Sequence, residues 1–425
     1  MTPIMPRAPE NFTSSVAYLA ARRRNPIEAW PHQVYEELVV AAPWSRGPIF
    51  LCDPAIVRQV LVEDAANYAR SRIHDRIARS IWGEGLLTAE GARWAWQRRT
   101  LAPGFGGDID TLVGKGATAP VDNALRRLAE QAPVGPVIPE PLIREAVQAA
   151  IWSLVFADES PFDPALANSL GTYIAYRGGG RIGDLIAWEP VQRWRRRHRY
   201  PAALARHVDE TLSRMREGAV APVGLIGLLS GALDPDTGLP ADATLVRDNV
   251  LGLLAVGAET TIQTTLWALY LLAMTPEWQR RIVDSTDDTA ISRVVMEALR
   301  LYPPIAYLPS RRAIEPRTFG GIPVAAGSKV VIPIFALHRH ERLWREPNRF
   351  DPDRFAAPPP RGAYLPFGAG PRVCLGSRYA SALVEMIVAA VAGRFRLGLP
   401  AETSVRPVMR ATLACQGLSL TMEPH

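Results

Sequence analysis

The chain has 425 residues, 48% apolar and 21% charged, with a mean hydropathy of zero. That balance excludes disordered and fibrous chains, and the 38 prolines and 32 glycines are scattered without the repeat of a collagen or a low-complexity linker. The net charge of +6 is weak ground for nucleic-acid binding, and all but two of the 48 basic residues, Lys115 and Lys329, are arginine, the fork suited to carboxylate and phosphate.

Three cysteines, Cys52, Cys374 and Cys415, are too few and too odd in number for a disulfide framework and fit a reducing compartment. The stretch Met1–Glu10 holds no apolar core of signal or anchor length. A cytoplasmic protein without a membrane anchor is therefore expected.

In chain order, Ile49-Phe50-Leu51 suits a strand and Val57–Val62 a helical turn. A charged and aromatic helix is predicted over Ala92–Leu101, stopped by Pro103-Gly104, and an amphipathic one over Leu142–Phe156. Gly178-Gly179-Gly180 is a flexible break, and the arginine run Arg193–Arg199 reads as a solvated helix face. Asn249–Met274 is apolar and longer than the roughly 20 residues that span a bilayer. Its centre carries Glu259, Thr260, Thr261, Gln263, Thr264 and Thr265, which are expensive in lipid, so a long helix inside a soluble protein is expected. A helix over Thr289–Tyr302 ends at Pro303-Pro304. A hairpin-like stretch covers Thr318–Val324 and Lys329–Ile332, and residues 338–372 are irregular. A last helix runs from Gly376 to Val391, with Gly393 as its stop. The fold class is mainly α with a minor β part, and no internal repeat is present.

The chemistry concentrates in Phe367-Gly-Ala-Gly-Pro-Arg-Val-Cys-Leu-Gly376. Its glycines and proline shape a tight, rigid loop, with Arg372 and Cys374 two apart. Gly376 lets the backbone pass close to something flat. The helix predicted directly after the cysteine would favour a thiolate through its dipole and free N–H groups. A thiolate so held suits an axial position on haem iron. A lone cysteine is otherwise an inert, buried small hydrophobe.

Phe367, Gly368, Gly370, Arg372, Cys374 and Gly376 resemble, position for position, the haem-binding loop of the cytochrome P-450 family. Other landmarks follow. Glu297 and Arg300 share a helical face and resemble the family's Glu-x-x-Arg motif, with Arg354 in Asp351-Pro-Asp-Arg-Phe355 matching the arginine of the same structural triad. Val256-Gly-Ala-Glu-Thr-Thr261 resembles the acid–alcohol motif, with Val256 where Ala or Gly is commoner. The bland reading of the hydroxyl is a bond back to its own helix. Trp94-Ala-Trp-Gln-Arg98 resembles the Trp-x-x-x-Arg motif. His340 stands where the family commonly has Asp.

The resemblance implies a cytochrome P-450 fold of the soluble bacterial type. That is one large helical domain with small β-sheets over residues 1–425, of which about the first 20 form an N-terminal extension. It implies haem b as cofactor, O2 as co-substrate and Cys374 as the metal ligand. Arg98, Arg372, Arg311 and Trp94 would serve the haem propionates, with Phe367, Gly368 and Gly376 against the ring. Thr260 and Glu259 would activate oxygen and deliver protons in a site whose Glu and Thr face an apolar cavity, with Gly257 leaving room for dioxygen. Substrate-facing segments would be the loop Ile73–Trp82, the region Tyr173–Trp188, the stretch Leu253–Thr261 and the turn Ala414–Gln416. Ile77, Ile81, Trp82, Leu253, Ile305 and Leu308 are apolar and Tyr307 adds one hydroxyl, so a lipophilic small molecule is expected.

The activity implied is O2-dependent hydroxylation or a related oxidation. Electrons would come from an iron–sulfur ferredoxin and its NAD(P)H-dependent reductase, docking at Arg93, Arg99 and Arg378. Two alternatives stand beside it. One is a haem peroxygenase or isomerase on the same scaffold; the other is a helical binding protein in which Cys374 is inert.

Overall fold

The long apolar run becomes the axis of the molecule. In the computed structural model it forms a helix of 32 residues, Ala243–Met274. It begins ahead of the run because the Asp242 carboxylate accepts the Thr244 N–H at 2.9 Å and caps it. The structure describes the chain apart from residues 1, 2, 7, 13, 178–199 and 285–288, and apart from the side chains of 72–74, 158 and 175–177. The glycine break at 178–180, the arginine run and most of the Tyr173–Trp188 region lie outside the described residues.

Leu245, Val250, Leu254, Ile262, Leu266 and Leu269 bury the central helix on several sides at once. A helix apolar all round belongs in a core. Helices Ile109–Gln131, Glu140–Phe156, Ala202–Arg216, Ala290–Leu301 and Ser377–Ala392 pack around it and one another. Trp267 stacks on Tyr302 with centroids 3.6 Å apart, and its indole N–H donates to the Leu413 carbonyl at 3.0 Å.

Ile109–Gln131 has no counterpart in the sequence reading. It holds Gly114, Gly116 and an interior Pro120, each unfavourable to a helix. Packing overrides that cost. A Cβ on Gly116 would stand 3.0 Å from that of Ser153, so the glycine permits close approach of Glu140–Phe156. The segment Ile73–Trp82, expected as a loop, lies in the helix Arg72–Trp82. The last helix is Ser377–Ala392, and Gly393 ends it in ordinary right-handed geometry, without the left-handed turn that makes glycine a frequent stop.

One sheet has five strands in the order β1 (Val39–Ala41), β2 (Pro48–Leu51), β7 (Lys329–Val331), β4 (Arg311–Ala313) and β3 (Tyr68–Arg70). Only β2–β7 is parallel. The register of β3 on β4 sets Arg70 directly opposite Arg311. The hairpin of β5 (Arg317–Phe319) and β6 (Ile322–Val324) turns at Gly320-Gly321, with φ +53° and +80°. Two short antiparallel pairs close the chain: β8 (Phe395–Gly398) with β11 (Thr421–Pro424), and β9 (Arg406–Met409) with β10 (Leu413–Gln416).

Of the first twenty residues, expected as an extension, some make contacts with the rest of the chain, while the helix Ser15–Arg24 buries none of its side chains. Phe12 and Tyr18 pack with Trp44, and Tyr302 donates its hydroxyl to the Ile4 carbonyl at 2.8 Å.

Candidate active site

The cysteine loop is built by its own backbone. The Cys374 N–H donates to the Phe367 carbonyl at 3.0 Å, and Val373 N–H to Gly370 at 3.1 Å. Gly370 is left-handed at φ +72°, and a Cβ there would sit 2.2 Å from the Leu61 carbonyl oxygen, so only glycine fits. Cys374 is exposed, yet the dense protein around it desolvates its sulfur. That desolvation pushes the thiol pKa up, while the Gly376 N–H and the Arg98 guanidinium pull it down and lose. The helix begins at Ser377, three residues on. Burial is the larger of these opposing effects.

Beside the loop lies a knot of arginines. The Arg372 guanidinium sits 4.4 Å from the Trp94 ring centroid and that of Arg98 5.7 Å from it. Arg372 Nη2 donates to the Ala89 carbonyl at 2.8 Å, while its Nη1 is buried with no hydrogen-bond partner among the described residues. Burial lowers the Arg372 pKa to about 10, helped by Arg70, Arg311 and Arg98 and opposed by Glu90. Burial and Arg70 lower Arg311 in the same way.

Arg70 is a residue the sequence reading missed. It donates to the Leu87 carbonyl at 2.9 Å, and its carboxylate neighbours Glu90 and Asp75 are at 3.7 and 4.0 Å. No motif marks it; only the strand register brings it to Arg311. Like charges directly across a strand pair repel, and here four guanidiniums converge on few carboxylates. The arrangement calls for an anion.

The central helix presents Leu253, Val256, Gly257 and Thr260, at helical spacing, as its half-buried stripe among fully buried neighbours. Thr260 Oγ1 donates to the Val256 carbonyl at 2.8 Å, the helix-internal bond that the bland reading predicts. With its proton so placed, Oγ1 keeps lone pairs free to accept. Glu259 does not face an apolar cavity. Its Oε2 meets Arg144 Nη1 at 2.7 Å, and its Oε1 accepts Gln263 Nε2 at 2.9 Å. Arg144 also holds Glu140 at 2.7 Å, and Gln263 Oε1 accepts the Cys415 N–H at 2.9 Å. A carboxylate with an arginine in reach turns to it because an unpaired charge in apolar surroundings is costly.

Glu297 and Arg300 are fully buried and paired through two bonds of 2.6 and 2.7 Å. Arg354 Nε reaches Glu297 at 3.1 Å, and the Asp351 N–H donates to the same carboxylate at 2.9 Å. Arg300 donates to the carbonyls of His338, Pro347 and Arg349. His338 Nε2 accepts the Leu365 N–H at 2.8 Å, and Tyr364 donates to the Met296 carbonyl at 3.0 Å. The irregular segment 338–372 is therefore held to one helix, two residues short of Phe367.

Of the expected pocket residues, Ile81 is buried and Ile77, Trp82, Leu253, Ile305 and Leu308 are half-buried. Gly257 lies 3.6 Å from Ile151, measured to the Cβ it lacks. The Tyr307 ring meets Trp30 edge-on at 6.0 Å and neighbours Tyr18. Ala414–Gln416, expected as a turn, belongs to β10. Arg99 and Arg378 are exposed, and Arg93, also exposed, lies 3.9 Å from Asp234. Arg378 lines a cleft of about 470 Å³ with Phe367, Asp108, Asp110 and Glu385.

Residues 240–424 match the family model described as Cytochrome P450. The chain is 28% identical to cyclooctatin synthase of Streptomyces melanosporofaciens over 89% of its length and 87% of that protein. It is 29% identical to cyclooctat-9-en-7-ol 5-monooxygenase of the same organism, over 85% and 81%. Cytokinin hydroxylase of Arabidopsis thaliana is 25% identical over 93% and 83%. Among solved structures, the heme domain of cytochrome P450DA superposes with a TM-score of 0.77 at 21% identity, covering 100% of this chain and 98% of that one.

Proposed function

Because the chain belongs to the cytochrome P450 family, and is a monooxygenase that uses haem b and O2, we propose that Cys374 is the axial ligand and that the substrate is a lipophilic small molecule. One observation carries this reading. A rigid, glycine-cleared loop presents a single thiol beside four arginines that lack enough carboxylates of their own. That donor set fits haem: one sulfur for the iron, and guanidiniums for the two propionates. Arg98, Arg311, Arg372 and Arg70 would hold the propionates, with Trp94 beside Arg372 and Arg98. Phe367, Gly368 and Gly376 would meet the ring.

Bound haem supplies the redox chemistry that places one oxygen atom of O2 in the substrate and leaves the other as water. The chain's own residues do the rest. Thr260 Oγ1, its proton given to Val256, accepts a hydrogen bond from a group that carries a proton. Glu259 passes protons inward from the Glu140–Arg144 side once Arg144 releases it. The apolar stripe Leu253–Val256–Gly257, with Ile81, Ile305 and Leu308, selects the substrate by shape. The buried triad Glu297–Arg300–Arg354 fixes the segment that carries the cysteine.

Redox partners deliver two electrons. We assign that role to a ferredoxin and its reductase, docking at Arg93, Arg99 and Arg378. No helix among the described residues is long and apolar enough to cross a membrane, and a cytoplasmic location is part of the proposal.

The test is oxidation under 18O2 with a ferredoxin and reductase. One labelled oxygen atom in the product supports the reading. Unlabelled product, or turnover with peroxide that ignores the redox partner, favours the peroxygenase alternative.

A further inference from the structure

Between the helices Arg72–Trp82 and Gly91–Leu101 the chain makes a turn over residues 83–89. The central helix grips it with two buried polar residues. Asp248 and Asn249 are each 2% exposed. Asp248 Oδ2 accepts the Glu84 N–H at 2.9 Å, and Asn249 Oδ1 accepts the Leu86 N–H at 2.8 Å. Asn249 Nδ2 donates to Gln97 Oε1 at 2.9 Å, and Gln97 in turn donates to the Glu84 carbonyl at 3.1 Å. Thr88 closes the turn on itself through the Gly83 and Gly85 carbonyls. Gly83 is left-handed at φ +62°, and a Cβ there would stand 1.9 Å from Asp248 Oδ2. The carboxylate is seated against the turn so closely that only glycine fits.

The far side of the same turn carries two other carbonyls. Leu87 accepts Arg70 Nη1 at 2.9 Å, and Ala89 accepts Arg372 Nη2 at 2.8 Å. An unbroken set of hydrogen bonds and backbone thus runs from the central helix, through seven residues of chain, to two of the four clustered guanidiniums. Burying a carboxylate and an amide is costly unless they are fully used, and a turn anchored only for stability needs neither a charge nor a link to the arginines.

We propose that Asp248 and Asn249 are positioning residues. They fix the turn 83–89 so that Arg70 and Arg372 are set for the cofactor's carboxylates, tying the cofactor's edge to the helix that carries Thr260. The proposal rests on the haem reading above.

The experiment measures haem release from the holoenzyme to excess apomyoglobin, with the ferric–ferrous midpoint potential as a second readout. The variants are Asp248→Ala, Asp248→Asn, Arg372→Met and the double variant Asp248→Ala with Arg372→Met. Asp248→Ala releases haem about tenfold faster, the weight of one well-made hydrogen bond. Asp248→Asn keeps an acceptor oxygen for the Glu84 N–H and restores slow release. In the double variant the effects multiply less than fully, because Asp248 acts in part through the guanidinium that Arg372→Met removes and in part through Arg70. Should Asp248→Ala fail to fold, Asn249→Ala leaves the carboxylate seated and carries the same comparison. Accelerated release in Arg372→Met with none in the helix variants overturns the proposal alone, as do effects that multiply in full. Unchanged release in Arg372→Met overturns the assignment of arginines to the propionates, and this proposal with it.

Discussion

At Cys374 two effects compete, and burial outweighs the local donors. Iron takes the thiolate, so ligation must displace whatever proton the sulfur carries. Haem affinity should therefore rise with pH by about tenfold per unit while the thiol remains protonated. Competition against apomyoglobin between pH 6 and 8 measures it, and a flat profile would show a side chain already ionised. Thr260 makes its one donation to Val256 at 2.8 Å, which leaves its oxygen free to accept. Thr260→Ala should keep haem and substrate binding but lose coupling, with reducing equivalents appearing as hydrogen peroxide. Thr260→Ser, which keeps the oxygen, should restore most product per electron consumed. Normal coupling in the alanine variant would remove Thr260 from proton handling. These residues were legible because their chemistry sits in short contiguous stretches. Arg70 was not, since its meaning lies in a strand register that pairs it with Arg311 across 241 residues of chain. The Glu259–Arg144 pair was hidden because it joins two packed helices far apart in the chain.

At the scale of elements, the helix Ala290–Leu301 and the irregular segment after it behave as one piece. Glu297 accepts from Arg300, Arg354 and the Asp351 N–H while fully buried. Glu297→Gln leaves Arg300 charged and unpaired in the core. The loss should be about 3–5 kcal/mol, read by chemical denaturation together with loss of bound haem. His338 holds the Leu365 N–H through Nε2, and burial lowers its pKa to about 3. A folded-state pKa below the unfolded value of about 6.5 gives stability that is complete above pH 6.5. That stability drains away as the pH falls toward 3. At pH 4.5 the loss from this one group should be about 2–3 kcal/mol, and His338→Gln should flatten the decline between pH 7 and 4.5. An equally steep decline in the variant would place the acid sensitivity elsewhere. The strongly periodic helices were readable because apolar spacing alone defines them. Ile109–Gln131 was not, because Gly114, Gly116 and Pro120 speak against a helix that only its neighbours stabilise. The closing strands of four residues each, β8 to β11, are too short to show an alternation.

For the whole molecule, the arginine-rich composition has a local use. Part of the positive charge gathers where the chain supplies too few carboxylates for it, and part is exposed, at Arg99 and on the face with Arg378. That face is not uniformly basic, since Asp108, Asp110 and Glu385 share the cleft with Arg378. An acidic electron donor would meet mixed charge there. The central claim is that one sulfur, Cys374, holds the haem iron, and the optical spectrum of the reduced protein under carbon monoxide tests it most directly. A strongly red-shifted Soret band, lost in Cys374→Ser, is the result this account predicts. A band at the position of histidine-ligated haem, or a red-shifted band that survives the serine substitution, would contradict it.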